Sequence, residues 1–390
     1  MKVLYIHQYF KRPEDGGSLR SYHLARELVK SGVDVTMITA HNHSSRRRKI
    51  VAGIDVIYLP VKYGNEMNFG KRSRAFIRFM LLAILESTRH RQIDFCYVMT
   101  TPLSTGAIAL FNKIILRRPY IFEVGDLWPK VPIEMGLIKA KWKQKLLAWF
   151  ENRFYRNAKG LVGLSEPISN HLHSIAPRIP FQTVFNISDC GGFVPSDKKQ
   201  VWIEKYQVQN QFVVSYTGTF GLANDLIQLV DFAKEVEGLP IKFMMVGNGA
   251  EKEKIRKKVD EIGLQDVQIF DAMDKTQLLE VINVSDAMMV SFAAYDSLHT
   301  GSPNKFFDAL AAGKLVVANF RGWLGDLIES ENCGIVAQSP EEYKQKIKTF
   351  IDDDKKLTTF QVNARKLAEH KFELKIQSKI QQDFIAQLFN

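Results

Sequence analysis

Cysteine is scarce in this 390-residue chain, and Cys96, Cys190 and Cys333 lie far apart. Thiols so spaced form neither a disulfide framework nor a metal cluster, and they suit a reducing compartment. No run of about 20 uncharged apolar residues occurs, so no membrane-spanning helix is expected. The opening MKVLYIHQYF is apolar for too few residues to act as a secretory leader and lacks a small-residue cleavage site. It reads as a buried β-strand. A GxGxxG dinucleotide fingerprint is missing, as are internal repeats and low-complexity tracts. Apolar residues, in contrast, make up 46% of the chain, enough at this length to fill two cores.

Acidic residues are thin in one half only. Through residue 190 there are 29 Lys and Arg against 14 Asp and Glu, whereas the remainder holds 24 against 28. The first half is therefore strongly cationic and the remainder slightly anionic, and together they give the formal charge of +11. An anionic membrane surface, an anionic lipid-linked substrate or nucleic acid would each suit such a half.

Short apolar runs alternate with helical patterns along the chain. Strands are expected at Val3–Ile6 and over VDVTMITA, GIDVIYLP, FCYVMT and PYIFEV, with helices at Ser18–Lys30, Arg74–Leu85 and Thr105–Leu116 between them. Buried-looking strands in this rhythm predict a parallel sheet. A polar break over Asn186–Asp197 precedes a second round: FVVSYTG, IKFMMVGNG, VQIFD, AMMV and KLVVAN, with helices at Asp225–Glu235 and Glu251–Ile262. The fold class is thus α/β with two Rossmann-like, doubly wound domains. The expected boundaries are 1–190 together with the returning C-terminal helix (370–390), and 191–369.

Glycine recurs where such sheets bind ligands, at the carboxyl ends of strands. Gly16 and Gly17 follow the first strand, and Ser18 opens a helix. Either a phosphate approaches this loop or Ser18 simply caps the helix. YTGTFG carries Gly218 and Thr219, and VGNG carries Gly247 and Asn248. In the segment Gly301–Lys305, Ser302 is a plausible N-cap, with Pro303 and Asn304 opening a helix. Lys305 in the first turn opposes the helix dipole, which makes sense beside a di-anionic ligand. Asp308, three residues on, can look the same way. In EVGDLWP, the carboxylates Glu123 and Asp126 and the ring of Trp128 suit sugar hydroxyls and an acceptor ring. Glu123 has an alternative role as a structural hydrogen-bonding group. His7 and His299 either reach a ligand or pack.

The ordered set of residues 7–39, FEVGDLWP, YTGTFG, VGNGAEKEKI and SPNKFFDALAAGKLVV resembles the family-4 retaining glycosyltransferases of the GT-B fold, in particular the bacterial branch that builds surface polysaccharides. The likeness spans essentially the whole chain. It implies two domains facing across a cleft, with the nucleotide-sugar donor held by the second. Gly16 and Gly17 would approach the donor phosphates, and Gly218, Thr219, Ser302, Pro303 and Asn304 would line its site. Lys305 would neutralise the diphosphate, Asp308 would hold the ribose, and the base would lie near Gly247, Asn248 and 270–273. The acceptor would pass Arg20, Asp126 and Trp128, with Asp126, Glu123 and Lys305 as the groups nearest the chemistry. The resemblance further implies a uridine nucleotide, no divalent metal, no separate cofactor, and retention of anomeric configuration. The chain departs from the family where two glutamates separated by seven residues are frequent: Thr300 and Asp308 stand there. Thr219 and Phe220 replace the frequent Arg and Lys after the glycine.

Two basic, aromatic-rich stretches suggest docking on anionic lipid: Lys71–Arg74 leading into AFIRFMLLAIL, and Lys139–Lys145 beside Trp142, Leu146, Leu147, Trp149 and Phe150. Arg46–Lys49 adds a basic loop. The expectation is a cytoplasmic enzyme, peripheral on the inner membrane face, with a glycan or polyprenyl-diphosphate-linked acceptor. Competing readings are a nucleotide-sugar epimerase, for which no converging acid–base set is evident, a nucleic-acid module, which leaves the glycine loops unexplained, and a non-catalytic scaffold.

Overall fold

A computed structural model describes residues 1–15, 19–64, 67 and 69–389. The chain divides into two compact units: residues 1–185, 300–302 and 377–390, and residues 186–299 and 303–376. No helix among the described residues is long and apolar enough to cross a membrane.

The first unit is built on eight described strands: β1 (Lys2–Ile6), β2 (Asp34–His41), β3 (Arg47–Val51), β4 (Ile54–Pro60), β5 (Phe95–Met99), β6 (Tyr120–Val124), β7 (Gly160–Gly163) and β8 (Phe181–Thr183). Their order is β3-β4-β2-β1-β5-β6-β7-β8, and β3 alone runs antiparallel. Because side chains alternate across a strand, β1 feeds two cores. Leu4 and Ile6 join Ile38, Val98 and Phe122 on one face, while Val3 and Tyr5 join Tyr97, Ile121 and Val162 on the other. The last helix, Leu374–Phe389, seals the second face with Phe384, Ile385 and Leu388, and Phe389 stacks on Phe95 at 4.2 Å. A side chain at Gly160 would lie 2.4 Å from Leu388 Cδ1, so glycine is what lets the helix sit on β7.

The second unit carries β9 (Phe212–Thr217), β10 (Ile241–Val246), β11 (Val267–Phe270), β12 (Ala287–Val290), β13 (Leu315–Ala318) and β14 (Gly334–Val336). All are parallel, in the order β11-β10-β9-β12-β13-β14. The chain winds one way from β9 to β11 and the other way from β12 to β14. A ligand crevice is expected at the carboxyl ends where that direction reverses.

Several local expectations shift. Arg47–Lys49 are not loop residues but open edge strand β3, paired with β4 as Arg47↔Tyr58 and Lys49↔Val56. The basic amphipathic helix begins at Phe69 rather than Arg74. The helix of the SPNK segment runs Asn304–Ala311, with Pro303 in the cap position and no side-chain cap bond. Ser302 therefore stands one residue before the cap, because Pro303 adopts an extended conformation there. Strands β7, β8 and β14 are additions to the expected ones; β8 and β14, at three residues each, are too short to show a period.

Candidate active site

In the second unit, the turns after β9, β10 and β11 interlock. Gly218 N donates to Val246 O (2.9 Å), Phe220 N to Asn248 O (3.0 Å), and Gly247 N to Phe270 O (3.2 Å). Gly247 has φ +150°, and an added Cβ would lie 1.8 Å from Gly218 O. Gly249 has φ +159°, and its Cβ would lie 2.2 Å from Phe220 O. Backbone atoms cannot retreat from such contacts, so only glycine permits this approach.

Lys305, from the first turn of helix Asn304–Ala311, reaches into the same place. Its Nζ donates to Tyr216 Oη (3.0 Å) and Asn224 Oδ1 (3.1 Å) and stands 4.3 Å from the centre of the Tyr216 ring, a cation–π distance. Tyr216 and Asn224 in turn both donate to Thr219 O, at 2.8 and 2.9 Å. The Lys305 stem passes the Gly218 turn: a Cβ there would be 3.4 Å from Lys305 Cε. Burial of the ammonium lowers the Lys305 pKa to about 7, and no carboxylate among the described residues opposes that shift. A lysine so depressed, at the carboxyl ends of a parallel sheet, is a candidate anion-binding group. Asp308 lies half-buried three residues further along the helix.

Gly218, Thr219, Gly247, Asn248 and Lys305 are thus brought together, and Phe270 joins them. Gly16, Gly17 and Ser18 lie outside the described residues. Ser302 groups with the first unit, and Pro303 and Asn304 with the second. His299 is tied up in packing: its ring stacks on Phe320 at 5.0 Å, and Nε2 lies 3.2 Å from Ala293 O.

Lys252 escaped the reading of the sequence. It sits in the first turn of helix Lys252–Ile262 and is buried. Its Nζ donates to Gly247 O (2.9 Å), Asn248 Oδ1 (2.9 Å), Phe270 O (3.0 Å) and Asp271 Oδ1 (2.6 Å). It clamps the β10 turn to the end of β11. Its position two residues beyond VGNGA, as one of several lysines in an exposed-looking helix, is a signal too faint to separate it from its neighbours.

In the first unit, Arg20 and Glu123 find each other. Glu123, on β6, is fully buried. It accepts from Arg20 Nε (2.8 Å) and Nη2 (3.2 Å) and from Tyr97 Oη (2.5 Å). Arg20 also donates to Phe185 O (2.5 Å) and Val184 O (2.9 Å). Burial pulls the Arg20 pKa down, and the Glu123 charge and hydrogen bonds outweigh it, leaving a net rise. These two residues form a buried ion pair, an arrangement that suits the structural role for Glu123 and spends the Arg20 guanidinium on protein groups. His7 belongs to the same interior: Nδ1 lies 2.8 Å from Ser21 Oγ, and burial, with Arg20 second, lowers its pKa to about 3. Asp126, in contrast, is exposed beyond β6. Trp128 is half-buried against the first core.

Helix Lys141–Arg156 buries only Glu151, Phe154 and Tyr155. Trp142 and Trp149 are 65% and 56% exposed, with Leu146 and Phe150 also in solvent. Helix Phe69–Thr88 exposes Ile77, Leu81 and Leu85, one per turn. These faces are solvated rather than packed into the core.

Residues 15–183 match a glycosyl transferase 4-like domain, and residues 198–367 match the glycosyl transferases group 1. No curated protein matches the sequence. Among solved structures, sucrose-phosphate synthase from Thermosynechococcus elongatus superimposes with a TM-score of 0.81 at 16% identity, over 100% of this chain and 99% of that one. HepE of Anabaena, in complex with UDP and glucose, gives 0.71 at 16% identity, covering 99% and 100%. WaaG, a glycosyltransferase involved in lipopolysaccharide biosynthesis, gives 0.68 at 15% identity, covering 97% and 98%.

Proposed function

Since the chain belongs to the family-4 glycosyltransferases of the GT-B fold, we propose that it moves a sugar from a uridine-diphosphate donor to a glycan or polyprenyl-diphosphate-linked acceptor, with retention, in surface polysaccharide synthesis. The observation that carries this is Lys305: a cation depressed by burial, with no opposing carboxylate among the described residues, beside the interlocked turns at Gly218 and Gly247. HepE, of the same fold, holds UDP and glucose, which supports the choice of donor.

The donor's diphosphate faces Lys305 and the backbone N–H groups of the Gly218 turn. Asp308 takes the ribose hydroxyls, and the uracil lies by Gly247, Asn248 and residues 270–273. In the transfer step, the bond between anomeric carbon and phosphate oxygen breaks, and its electron pair leaves with the nucleoside diphosphate. The acceptor oxygen forms the new bond from the same face, and its proton passes to the departing phosphate oxygen. Lys305 offsets the charge growing on that oxygen, and preorganised donors of this kind are worth about 3–4 kcal/mol. No divalent ion and no separate cofactor enters this account. Asp126 and Trp128 serve the acceptor.

The cationic, apolar faces of Lys141–Arg156 and Phe69–Thr88 dock the enzyme on the cytoplasmic face of an anionic membrane. Each lysine near such a surface contributes about 1 kcal/mol. Replacing Lys141, Lys143 and Lys145 by glutamine should therefore weaken binding to vesicles of 30% phosphatidylglycerol by about 100-fold; unchanged sedimentation would remove the membrane from the account. The donor assignment is tested by thermal shift against UDP, GDP and ADP. Stabilisation by UDP that survives EDTA and is lost in Lys305→Ala supports it; a larger shift with GDP or ADP contradicts it, and a UDP shift abolished by EDTA contradicts metal independence.

A further inference from the structure

The first unit contains a cavity of about 340 Å³ beyond the carboxyl ends of β1, β2 and β4, within the usual size of a small-molecule site. Its wall combines three features.

The first is unpaired positive charge. Arg47 and Lys49 are two apart on edge strand β3 and share a face; both line the cavity, are exposed, and have no ion pair among the described residues. Arg48, between them, turns the other way and bonds Asp55 through Nε and Nη2 at 2.8 and 2.7 Å. Arg12, also in the wall, is already committed to Asp15, with Nε and Nη2 at 2.9 and 2.7 Å from its carboxylate. The second is Gln8. It is 1% exposed, lines the cavity, and neither its amide nitrogen nor its amide oxygen has a partner among the described residues. A buried amide is normally satisfied, so this one offers a donor and an acceptor to whatever enters. The third is aromatic: Tyr58 and Tyr63 line the same wall, half-buried, and Tyr9 packs on Tyr63 at 4.9 Å.

We propose that this cavity is an acceptor subsite and that it selects a sugar bearing its own negative charge, a carboxylate or a phosphate. Gln8 pairs with ring hydroxyls, the tyrosines take the apolar face of the ring, and Arg47 and Lys49 hold the anion. The inference rests on the glycosyltransferase reading and narrows its acceptor.

The test is a ligand-observed NMR titration of the full chain with glucose, glucuronate and glucose 1-phosphate, each also against Arg47→Ala/Lys49→Ala and Gln8→Met, with UDP affinity measured in parallel. The wild-type protein should bind one or both charged sugars at least tenfold more tightly than glucose, and which of them it prefers identifies the anion. The double variant should lose that tenfold preference while binding UDP normally. Gln8→Met should weaken every sugar about tenfold with an unchanged or raised Tm, because it removes an unsatisfied buried amide. Absence of charged-sugar binding by the wild type, or an undiminished preference in the double variant, overturns the proposal. Inorganic phosphate binding as tightly as glucose 1-phosphate overturns it too, since the site would then hold an ion alone. Loss of UDP binding in the wild type would instead strike the donor assignment.

Discussion

Nucleotide binding should be coupled to proton uptake through Lys305. In the free enzyme, burial holds its pKa near 7, so at pH 8 roughly nine-tenths of the side chain is neutral. A diphosphate within hydrogen-bond reach restores a pKa near the unperturbed value of about 10.4. The apparent affinity for UDP then falls about tenfold per pH unit above 7, or about 80-fold between pH 7.5 and 9.5, a window in which the phosphates no longer titrate. Calorimetry in two buffers of different ionisation enthalpy should count about 0.8 proton taken up at pH 7.5 and about 1 at pH 9. Lys305→Met should flatten both curves and weaken UDP by about 1.5–3 kcal/mol at pH 7, the worth of a charge-assisted hydrogen bond. Stability carries the opposite mark. The unfolded chain binds the proton up to about pH 10.4, so wild-type stability rises with pH from about 7 to 10.4, and Lys305→Met removes that slope. The full pKa depression corresponds to at most about 5 kcal/mol. A wild-type UDP affinity that is flat across pH 7.5–9.5 without proton uptake would refute the placement of the diphosphate on Lys305.

Three further outcomes are expected. Glu123→Gln strands the buried Arg20 charge and should cost about 3–5 kcal/mol, read as a fall in the Tm of the first unit, whereas Arg20→Met with Glu123→Leu should cost less than the two single changes summed. A Glu123→Gln enzyme that keeps its Tm but loses transfer would return Glu123 to the chemistry. Gly247→Ala places a methyl against the Gly218 carbonyl and should cost more than about 2 kcal/mol by thermal melting; a wild-type Tm would mean that the two turns can separate. Lys252→Met removes the four-way clamp and should speed amide exchange over 247–249 and 270–273 while lowering UDP affinity about tenfold, and unchanged exchange there would deny it a positioning role.

The alternation of buried strands with amphipathic helices, the two-domain count and the order of the glycine turns follow from the sequence alone. Each depends on local patterning: apolar period reports burial, and glycine reports a backbone that no other residue allows. That is why the glycine turns at Gly218 and Gly247 and the neighbouring Lys305 can be placed at strand ends from the sequence. Side-chain partnerships were not legible, because they join residues far apart in the chain. Glu123 looks like a catalytic carboxylate until Arg20, 103 residues away, is seen to hold it. Lys305 finds Tyr216 across 89 residues. Lys252 looks like any lysine of a charged helix until four acceptors from two turns close around it. The pairing of β3 with β4 likewise turns a basic run into an alternating face, leaving Arg47 and Lys49 on the cavity while Arg48 bonds Asp55. Periodicity determines which faces are buried; only the packed tertiary structure, which sets strand order and brings distant polar groups within about 3 Å, decides which charges are spent on each other and which remain for a ligand.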